Sequence, residues 1–276
     1  MVKQNKGKIF WHAPFFEGLQ LELYQYKDYL TFEDEHQLSK EALIVDVLVI
    51  KKEKGIKIDK DIGRIFRGHN LVEFKSETDS LSIRDFNKVI GYAYIYSSFT
   101  DVPLSDITVT FALTIYPEAL EKYLENEFQQ KIEDMGNGIY YINNGHFPIQ
   151  ILESKKLSKE NLFLRSLRSN LTVEDAVSVV QEYGKLKDAE KKNAYLDGLI
   201  KANFDTFREA MKMGEAAKEL FLEAAEEYGW REKFENERAK EIAKKLLSLG
   251  DPTEKVAEAT NLPIEVVRGL ARNMVS

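Results

Sequence analysis

The spacing of hydrophobic and polar positions changes near residue 157. Before that point, short runs of β-branched and aromatic residues alternate with turn signals, a pattern that predicts strands. The predicted strands cover residues 43–52, 69–76, 107–116, 138–145 and 146–154. After residue 157 the chain is rich in Glu, Lys, Ala and Leu with a helical period of about 3.6 residues, which predicts helices.

Two segments of the first half have helical spacing instead. Apolar residues recur at three- and four-residue intervals over residues 15–30 and 82–98, and Ser82 and Asp85 are placed as a capping box. Helices interspersed with strands predict an α/β fold, in which a mixed sheet is flanked by helices. We expect that core over residues 1–157. An all-helical region then follows over 158–249, either packed on the core or extending it, and a separate tail covers 250–276.

Asp46 interrupts the apolar run ALIVDVLVI, with four apolar residues on each side. An ionised carboxylate in apolar surroundings costs several kcal/mol unless a cation, hydrogen-bond donors or water reach it. The simpler interpretation is a strand whose polar face is solvated. Because strand side chains alternate, Ile44 and Leu48 would share the face of Asp46, which argues against a fully solvated face.

Glu73 and Lys75 lie in the segment NLVEFKSETD and share one face of a predicted strand, while Val72 and Phe74 take the other face. The pattern Glu-x-Lys is not specific, since it recurs at residues 153–155 and 190–192. If the two strands are neighbours, however, Asp46 joins the pair. Two carboxylates and a lysine suit Mg²⁺ binding and phosphodiester hydrolysis.

These residues carry a resemblance to a known family. The segments EHQLSKEALIVDVLVIKK, IGRIFRGHNLVEFKSETDSLSIRDFNKVIGYAYIY, GIYYI and LRSL are similar to the PD-(D/E)xK nuclease-family transposases, relatives of the recombination-promoting nucleases, over roughly residues 10 to 170. The resemblance implies a restriction-endonuclease-like fold and DNA cleavage that depends on Mg²⁺ or Mn²⁺. It assigns Asp46 and Glu73 to the metal and Lys75 to the attacking water. The proline of the family name is replaced here by Val45.

The same resemblance implies further candidate residues. A Gln-x-x-x-Tyr pair of related nucleases corresponds to Lys88 and Tyr92, and a first-helix glutamate corresponds to Glu22 or, less well, to Glu17. Each has a structural alternative, namely a surface lysine, a core tyrosine and a solvated helix face.

Two other groups of residues remain open. His69 and Asn70 precede the Glu-Phe-Lys segment and either assist the site or cap the strand. Glu153 also ends an apolar strand, but its nearest upstream aspartate, Asp134, lies in a polar segment, which weakens this rival site.

Composition excludes several classes of protein. With no cysteine, the chain has no disulfides, zinc fingers or thiol catalysis. The start lacks the apolar core of a signal peptide, and the longest apolar run, residues 42–50, is too short to cross a membrane, so we expect a soluble cytoplasmic protein without a membrane partner. The net charge of −7 argues against bulk adhesion to nucleic acid, whereas residues 51–75 carry eight basic and four acidic side chains.

The tail over residues 250–273 has the rhythm of a helix-turn-helix, and a packing or oligomerisation element is the alternative. Two functions are therefore open. The first is a metal-dependent DNA endonuclease linked to transposition or recombination. The second is a catalytically inactive protein of the same fold that acts in DNA binding or protein assembly.

Overall fold

A computed structural model describes residues 11–37, 44–51, 53, 55–186, 193–210 and 230–275. Within these residues the chain forms a seven-stranded mixed sheet with flanking helices. The strands are β1 Leu30–Gln37, β2 Ile44–Lys51, β3 His69–Lys75, β4 Ile107–Leu113, β5 Glu133–Gly136, β6 Ile139–Asn143 and β7 Pro148–Glu153. The helices are α1 His12–Glu22, α2 Ile83–Thr100, α3 Glu118–Phe128, α4 Leu162–Arg165, α5 Val173–Lys185, α6 Asn193–Ala202, α7 Phe204–Ala210, α8 Trp230–Ser248, α9 Thr253–Thr260 and α10 Ile264–Val275.

The strand order across the sheet is β1-β2-β3-β4-β7-β6-β5. Strands β1, β2 and β3 pair antiparallel, β3 and β7 flank β4 in parallel, and β7, β6 and β5 are again antiparallel. Helix α2 forms the crossover from β3 to its parallel neighbour β4, as parallel pairing requires. The α/β class with a mixed sheet, flanking helices and C-terminal helices is thus confirmed.

Helix α2 begins as its sequence predicts. Ser82 Oγ accepts the N–H of Asp85 over 3.1 Å and donates to Asp85 Oδ2 over 2.6 Å, so one hydroxyl pairs with both groups. The apolar face of the helix then packs on the sheet, where the rings of Phe86 and Phe111 lie 5.3 Å apart. Leu71 of β3 belongs to the same buried cluster, which fixes the face of β3 that looks toward α2.

The predicted helix over residues 15–30 is wrong beyond Glu22. The chain turns there and re-enters the sheet as β1, which the sequence pattern did not indicate. The sequence of β1, LTFEDEHQ, is mostly polar because it is an edge strand with one neighbour, β2. Helix α3 and strand β5 were also not predicted.

The chain divides into two compact units, Met1–Phe207 and Arg208–Ser276. In the first unit, α1 packs against α4 and α6. A Cβ at Gly18 would lie 3.1 Å from the ring of Tyr195, so glycine permits the close approach of α1 and α6. Tyr195 is fully buried, and its hydroxyl donates to the carbonyl of Phe163 over 2.9 Å. Helices that follow residue 157 therefore share the unit of the sheet.

The second unit contains α8, α9 and α10. Its own apolar core includes Ala243, Val256, Leu262 and Val267, all buried. Asn261 has φ 54°, the left-handed conformation that ends α9 and turns the chain into α10. Of the helices in the described ranges, none has the length and apolar content needed to span a bilayer.

Candidate active site

The side chain of Asp46 lies at the end of the pairing between β2 and β3. The antiparallel ladder ends at Val47 and Val72, and Asp46 and Glu73 are the next residues on the two strands. Asp46 Oδ2 accepts the backbone N–H of Phe74 over 2.8 Å. Backbone N–H groups of strands point along the sheet, so the carboxylate lies near the plane of the sheet at this position.

Glu73 and Lys75 form an ion pair on β3. Lys75 Nζ lies 3.3 Å from Glu73 Oε1 and 3.3 Å from Asp79 Oδ2. The side chains of Glu73 and Lys75 are only 6% and 12% exposed, so the pair is largely withdrawn from water. Removing two charges from water is costly unless each finds a partner, and here each does.

Burial raises the pKa of the Glu73 carboxyl above its ordinary value. The nearby charge of Asp46 raises it further, and the ammonium groups of Lys75 and Lys88 offset part of the increase. For Lys75, burial lowers the pKa, but the carboxylates of Glu73 and Asp79 outweigh it and the pKa is raised. Lys75 therefore stays protonated at neutral pH.

Glu73 and Lys75 project toward α2 because Phe74, which lies between them, occupies the other face of the sheet. The ring of Phe74 stacks on Phe15 of α1, with centroids 4.5 Å apart. Alternation then directs Glu73 and Lys75 to the opposite face. Lys88 of α2 acts electrostatically on Glu73, which agrees with that placement.

Asp46 also meets His12, a residue that the sequence pattern did not single out. His12 Nε2 lies 3.3 Å from Asp46 Oδ1, and Nδ1 lies 3.8 Å from Asp34 Oδ1 and 4.0 Å from Glu35 Oε1. The adjacent carboxylate of Asp46 raises the pKa of His12, burial lowers it, and the carboxylates of Asp46, Asp34 and Glu35 leave it raised overall. His12 thus contacts Asp46 from α1, whereas the side chain of Glu73 faces α2.

The backbone of β1 is strained next to this site. Asp34 pairs with Val47 and His36 pairs with Val45, which leaves Glu35 at the level of Asp46. Glu35 has φ 45°, a left-handed conformation that costs a residue other than glycine about 1–3 kcal/mol.

Glu22 contacts residues outside β2 and β3. It is 3% exposed, forms an ion pair with Lys60, and accepts the N–H groups of Phe163 and Leu164 through Oε2 over 2.8 and 3.1 Å. Burial raises the pKa of Glu22, although Lys60 and the two N–H groups offset part of the increase. Glu17 likewise accepts the N–H of Tyr195 over 2.6 Å. Both carboxylates join α1 to the helices that follow the sheet.

Lys88 and Tyr92 differ in exposure. The Lys88 side chain is 43% exposed, with Nζ 3.9 Å from Asp85 Oδ1 and 5.8 Å from the ring centroid of Tyr92. Tyr92 is 8% exposed and belongs to the apolar cluster under α2. Lys88 is therefore accessible to a ligand near Glu73, whereas Tyr92 packs in the core.

His69 and Asn70 lie at the other end of β3. His69 Nδ1 is 2.7 Å from the hydroxyl of Tyr96. The fully buried Asn70 donates to the carbonyls of Val49 and Arg67 over 3.1 and 2.9 Å, so it holds strand and loop together. Neither residue reaches the acidic end of β3.

The rival carboxylates are separated within the sheet. Glu153 ends β7, where the hydroxyl of Tyr140 donates to Oε2 over 3.1 Å and Lys156 Nζ lies 3.0 Å from the same oxygen. Asp134 is exposed on β5, and its Oδ1 accepts the N–H of Gly136 over 2.8 Å. Strand β6 lies between β5 and β7, so the two carboxylates are not on neighbouring strands.

The carboxylates of Asp46 and Glu73 are the candidate ligands for a hard divalent cation, by the chemistry of their oxygen donors. Mg²⁺ takes one or two carboxylates from a protein and completes its shell with water and phosphate. Of the side chains that the structure describes, no three from His, Cys, Asp and Glu are grouped to hold a metal ion. A cation here would therefore rely on the two carboxylates. Comparisons of the chain with family models, curated proteins and solved structures give no match.

Proposed function

We propose that this protein is a metal-dependent endonuclease that hydrolyses phosphodiester bonds in DNA. The observation that carries the proposal is the nearly buried ion pair of Glu73 and Lys75 next to the carboxylate of Asp46. Apolar residues of similar volume would stabilise such strand ends as well or better. Three charged groups retained at this position are better explained by chemistry than by stability.

The arrangement of secondary structure supports a restriction-endonuclease-like fold. Helix α1 precedes three antiparallel strands, and α2 then crosses to a parallel fourth strand. This order supports the resemblance to the PD-(D/E)xK nuclease-family transposases. A link to transposition or recombination rests on that resemblance alone.

Each residue of the proposed site has a distinct task. Asp46 and Glu73 would hold Mg²⁺ or Mn²⁺, which lowers the pKa of a coordinated water and neutralises charge on a phosphate. Lys75 is protonated at neutral pH because its pKa is raised, so it would orient the attacking water as a donor and stabilise charge on the phosphate oxygens. The exposed Lys88 would contact a phosphate as a point charge.

Nicking of supercoiled plasmid tests this function. The full chain is incubated with plasmid in Mg²⁺, in Mn²⁺ and in excess chelator. We expect nicking only with a divalent cation, and its loss in Asp46→Ala and Lys75→Ala. The exposed Lys122 of α3 supplies the matched control, since Lys122→Ala removes a surface lysine that belongs to neither β2, β3 nor α2.

Circular dichroism and thermal melting establish that each variant is folded. Nicking that persists in folded Asp46→Ala would contradict the proposed site. Nicking by the wild type in chelator would contradict the dependence on metal.

A catalytically inactive binding or assembly protein is the second candidate. The second unit favours it, because α8 to α10 have an apolar core of their own and α9 and α10 are joined by a short turn at Asn261. Arg268 on α10 lies 3.2 Å from Glu254 Oε1 and 3.6 Å from Glu265 Oε1, so acidic groups partly neutralise that helix. DNA retention on a gel without cleavage in any cation would support this candidate over the first.

A further inference from the structure

A polar cleft lies at the ends of β2 and β3 that are farther from Asp46 and Glu73. It has a volume of about 1010 Å³ and is bounded by the end of β2, the start of β3 and two loops, 55–67 and 103–106. Lys51 ends β2 in this cleft, five residues beyond Asp46, which corresponds to about 16 Å along a strand. The cleft is therefore distinct from the carboxylates at the other end.

Lys51 is held in place by the backbone of the cleft. Its Nζ donates to the carbonyls of Phe66 and Ile56 over 2.6 and 3.1 Å. An ammonium group has three N–H donors, so these two bonds leave one for a ligand. Of the described carboxylates, none lies within ion-pair distance of Lys51, although Asp106 acts on it from farther away.

Arg67 is fixed at the rim of the same cleft. Its Nη1 donates to the carbonyl of Ser105 over 2.5 Å, which ties the two loops together. A guanidinium carries five N–H donors in a planar fork, so most remain available for an anion. Lys57 and Arg64 also line the cleft and are exposed.

The acidic residues of the cleft do not cancel this charge. Lys51, Lys57, Arg64 and Arg67 face Glu53, Asp59 and Asp106, which gives a balance of +1 in a chain whose net charge is −7. Asp106 is already engaged, since its Oδ1 accepts the N–H of Gly68 over 3.1 Å. A Cβ at Gly68 would lie 2.5 Å from Asp106 Oδ2, so glycine is what permits this close contact.

The remaining wall is apolar. Ile58 and Phe66 are 3% and 5% exposed, and Ile56 and Pro103 complete the lining. The cleft thus combines an apolar wall with converging charged groups, and its volume is sufficient for a small ligand. Duplex DNA, in contrast, is bound through extended surfaces that follow its backbone.

We propose that this cleft binds a small phosphorylated ligand of about nucleotide size, with Lys51 and Arg67 donating to its phosphate. The proposal does not depend on nuclease activity, because it uses neither carboxylate of that site. The shared chemistry is a phosphate group, which a free phosphate ion or a nucleoside monophosphate could supply. Lys57 and Arg64 add positive charge at the entrance.

Calorimetric titration of the full chain with inorganic phosphate, AMP and adenosine tests the proposal. We expect saturable binding of AMP, and binding of adenosine at least about tenfold weaker because the charge-assisted hydrogen bonds are lost. AMP that binds more tightly than phosphate would identify a nucleotide-like ligand, whereas equal affinities would identify the phosphate ion itself. Absence of saturable binding for both AMP and phosphate would overturn the proposal.

Substitutions locate the site. Arg67→Ala and Lys57→Ala are each expected to weaken binding of the phosphate probes about tenfold, and Lys57 has an exposed side chain that folding does not require. Lys122→Ala, outside the cleft, and Asp46→Ala, at the other strand ends, should bind as the wild type does. Equal affinity in wild type, Arg67→Ala and Lys57→Ala would place the bound phosphate elsewhere and refute the assignment. Loss of binding in Asp46→Ala would contradict the proposal, because it would show that the phosphate binds at the proposed active site.

Discussion

Phe74 donates its backbone N–H to Asp46 Oδ2 over 2.8 Å, at the level where the pairing of β2 and β3 ends. The donor that would otherwise meet a strand carbonyl is satisfied by a side chain. Asp46 therefore holds two strands together as well as presenting a charge. Substitution can separate these two roles.

Asparagine at position 46 should preserve the bond and remove the charge. We expect Asp46→Asn to lower the free energy of unfolding by less than about 1 kcal/mol, and Asp46→Ala to lower it by about 1–3 kcal/mol because the Phe74 N–H loses its acceptor. Both variants should lose metal-dependent nicking. Urea unfolding and the plasmid assay measure the two effects, and wild-type nicking by Asp46→Asn would show that the charge is not needed.

Glu22 should matter for stability. Its carboxylate joins Lys60 to the N–H groups of Phe163 and Leu164, so Glu22→Ala removes the only carboxylate that pairs with Lys60 among the described residues and leaves two buried N–H donors without their acceptor. We expect a loss of about 3 kcal/mol or more in the free energy of unfolding. Glu125→Ala, an exposed change on α3, should alter it by less than about 0.5 kcal/mol.

The alternative role of Glu22 in catalysis has its own test. Glu22→Gln keeps an oxygen for the two N–H groups while removing the charge. If this variant is as stable as the wild type and no longer nicks plasmid, Glu22 belongs to the chemistry.

His12 and His69 should affect stability with opposite pH dependence. The adjacent carboxylate of Asp46 raises the pKa of His12, so the contribution of His12 to stability is present below the unfolded value of 6.5 and is lost as the pH rises through the folded value. Burial lowers the pKa of His69, so its contribution is present above 6.5 and is lost as the pH falls through the folded value.

Unfolding at about pH 6 and about pH 8 distinguishes the two histidines. His12→Asn should destabilise the protein more at the lower pH. His69→Asn should destabilise it more at the higher pH, and each variant is the control for the other. The same pH trend in both variants would contradict the assigned shifts.

Substitutions of Lys88 and Tyr92 should differ in their effect on the nicking rate, because the first side chain is exposed and the second is buried. Lys88→Met removes an exposed charge that acts on Glu73, and we expect it to slow nicking about tenfold without changing stability. Tyr92→Phe keeps the buried ring and should nick plasmid at the wild-type rate. Slower nicking by Tyr92→Phe with unchanged stability would give the hydroxyl a part in the reaction.

The sequence alone predicted the strands that carry the candidate residues. The apolar run around Asp46 and the alternation around Glu73 each identified a strand, and the structure has them at Ile44–Lys51 and His69–Lys75. The sequence left open whether these two strands are neighbours, and the structure shows that β2 pairs with β3. The capping pair of Ser82 and Asp85 located the start of α2, because a capping box depends only on residues three positions apart.

Long-range partners could not be read from the pattern. His12 reaches Asp46 because α1 packs against β2, a contact between segments that are distant along the chain. Glu22 accepts N–H groups from residues more than a hundred positions away, so no local signal marks it as buried. A solvated helix face and a buried capping carboxylate have the same short-range sequence.

The left-handed backbone of Glu35 bears on how firmly Asp46 is aimed. Glycine adopts that conformation without steric penalty, so Glu35→Gly should relax the edge strand even as it adds freedom to the unfolded chain. The left-handed turn of β1 beside Asp46 should therefore persist in that variant while its steric cost disappears. Glu35 thus keeps a strained backbone in the edge strand, at the level where Asp46 meets Phe74 and His12.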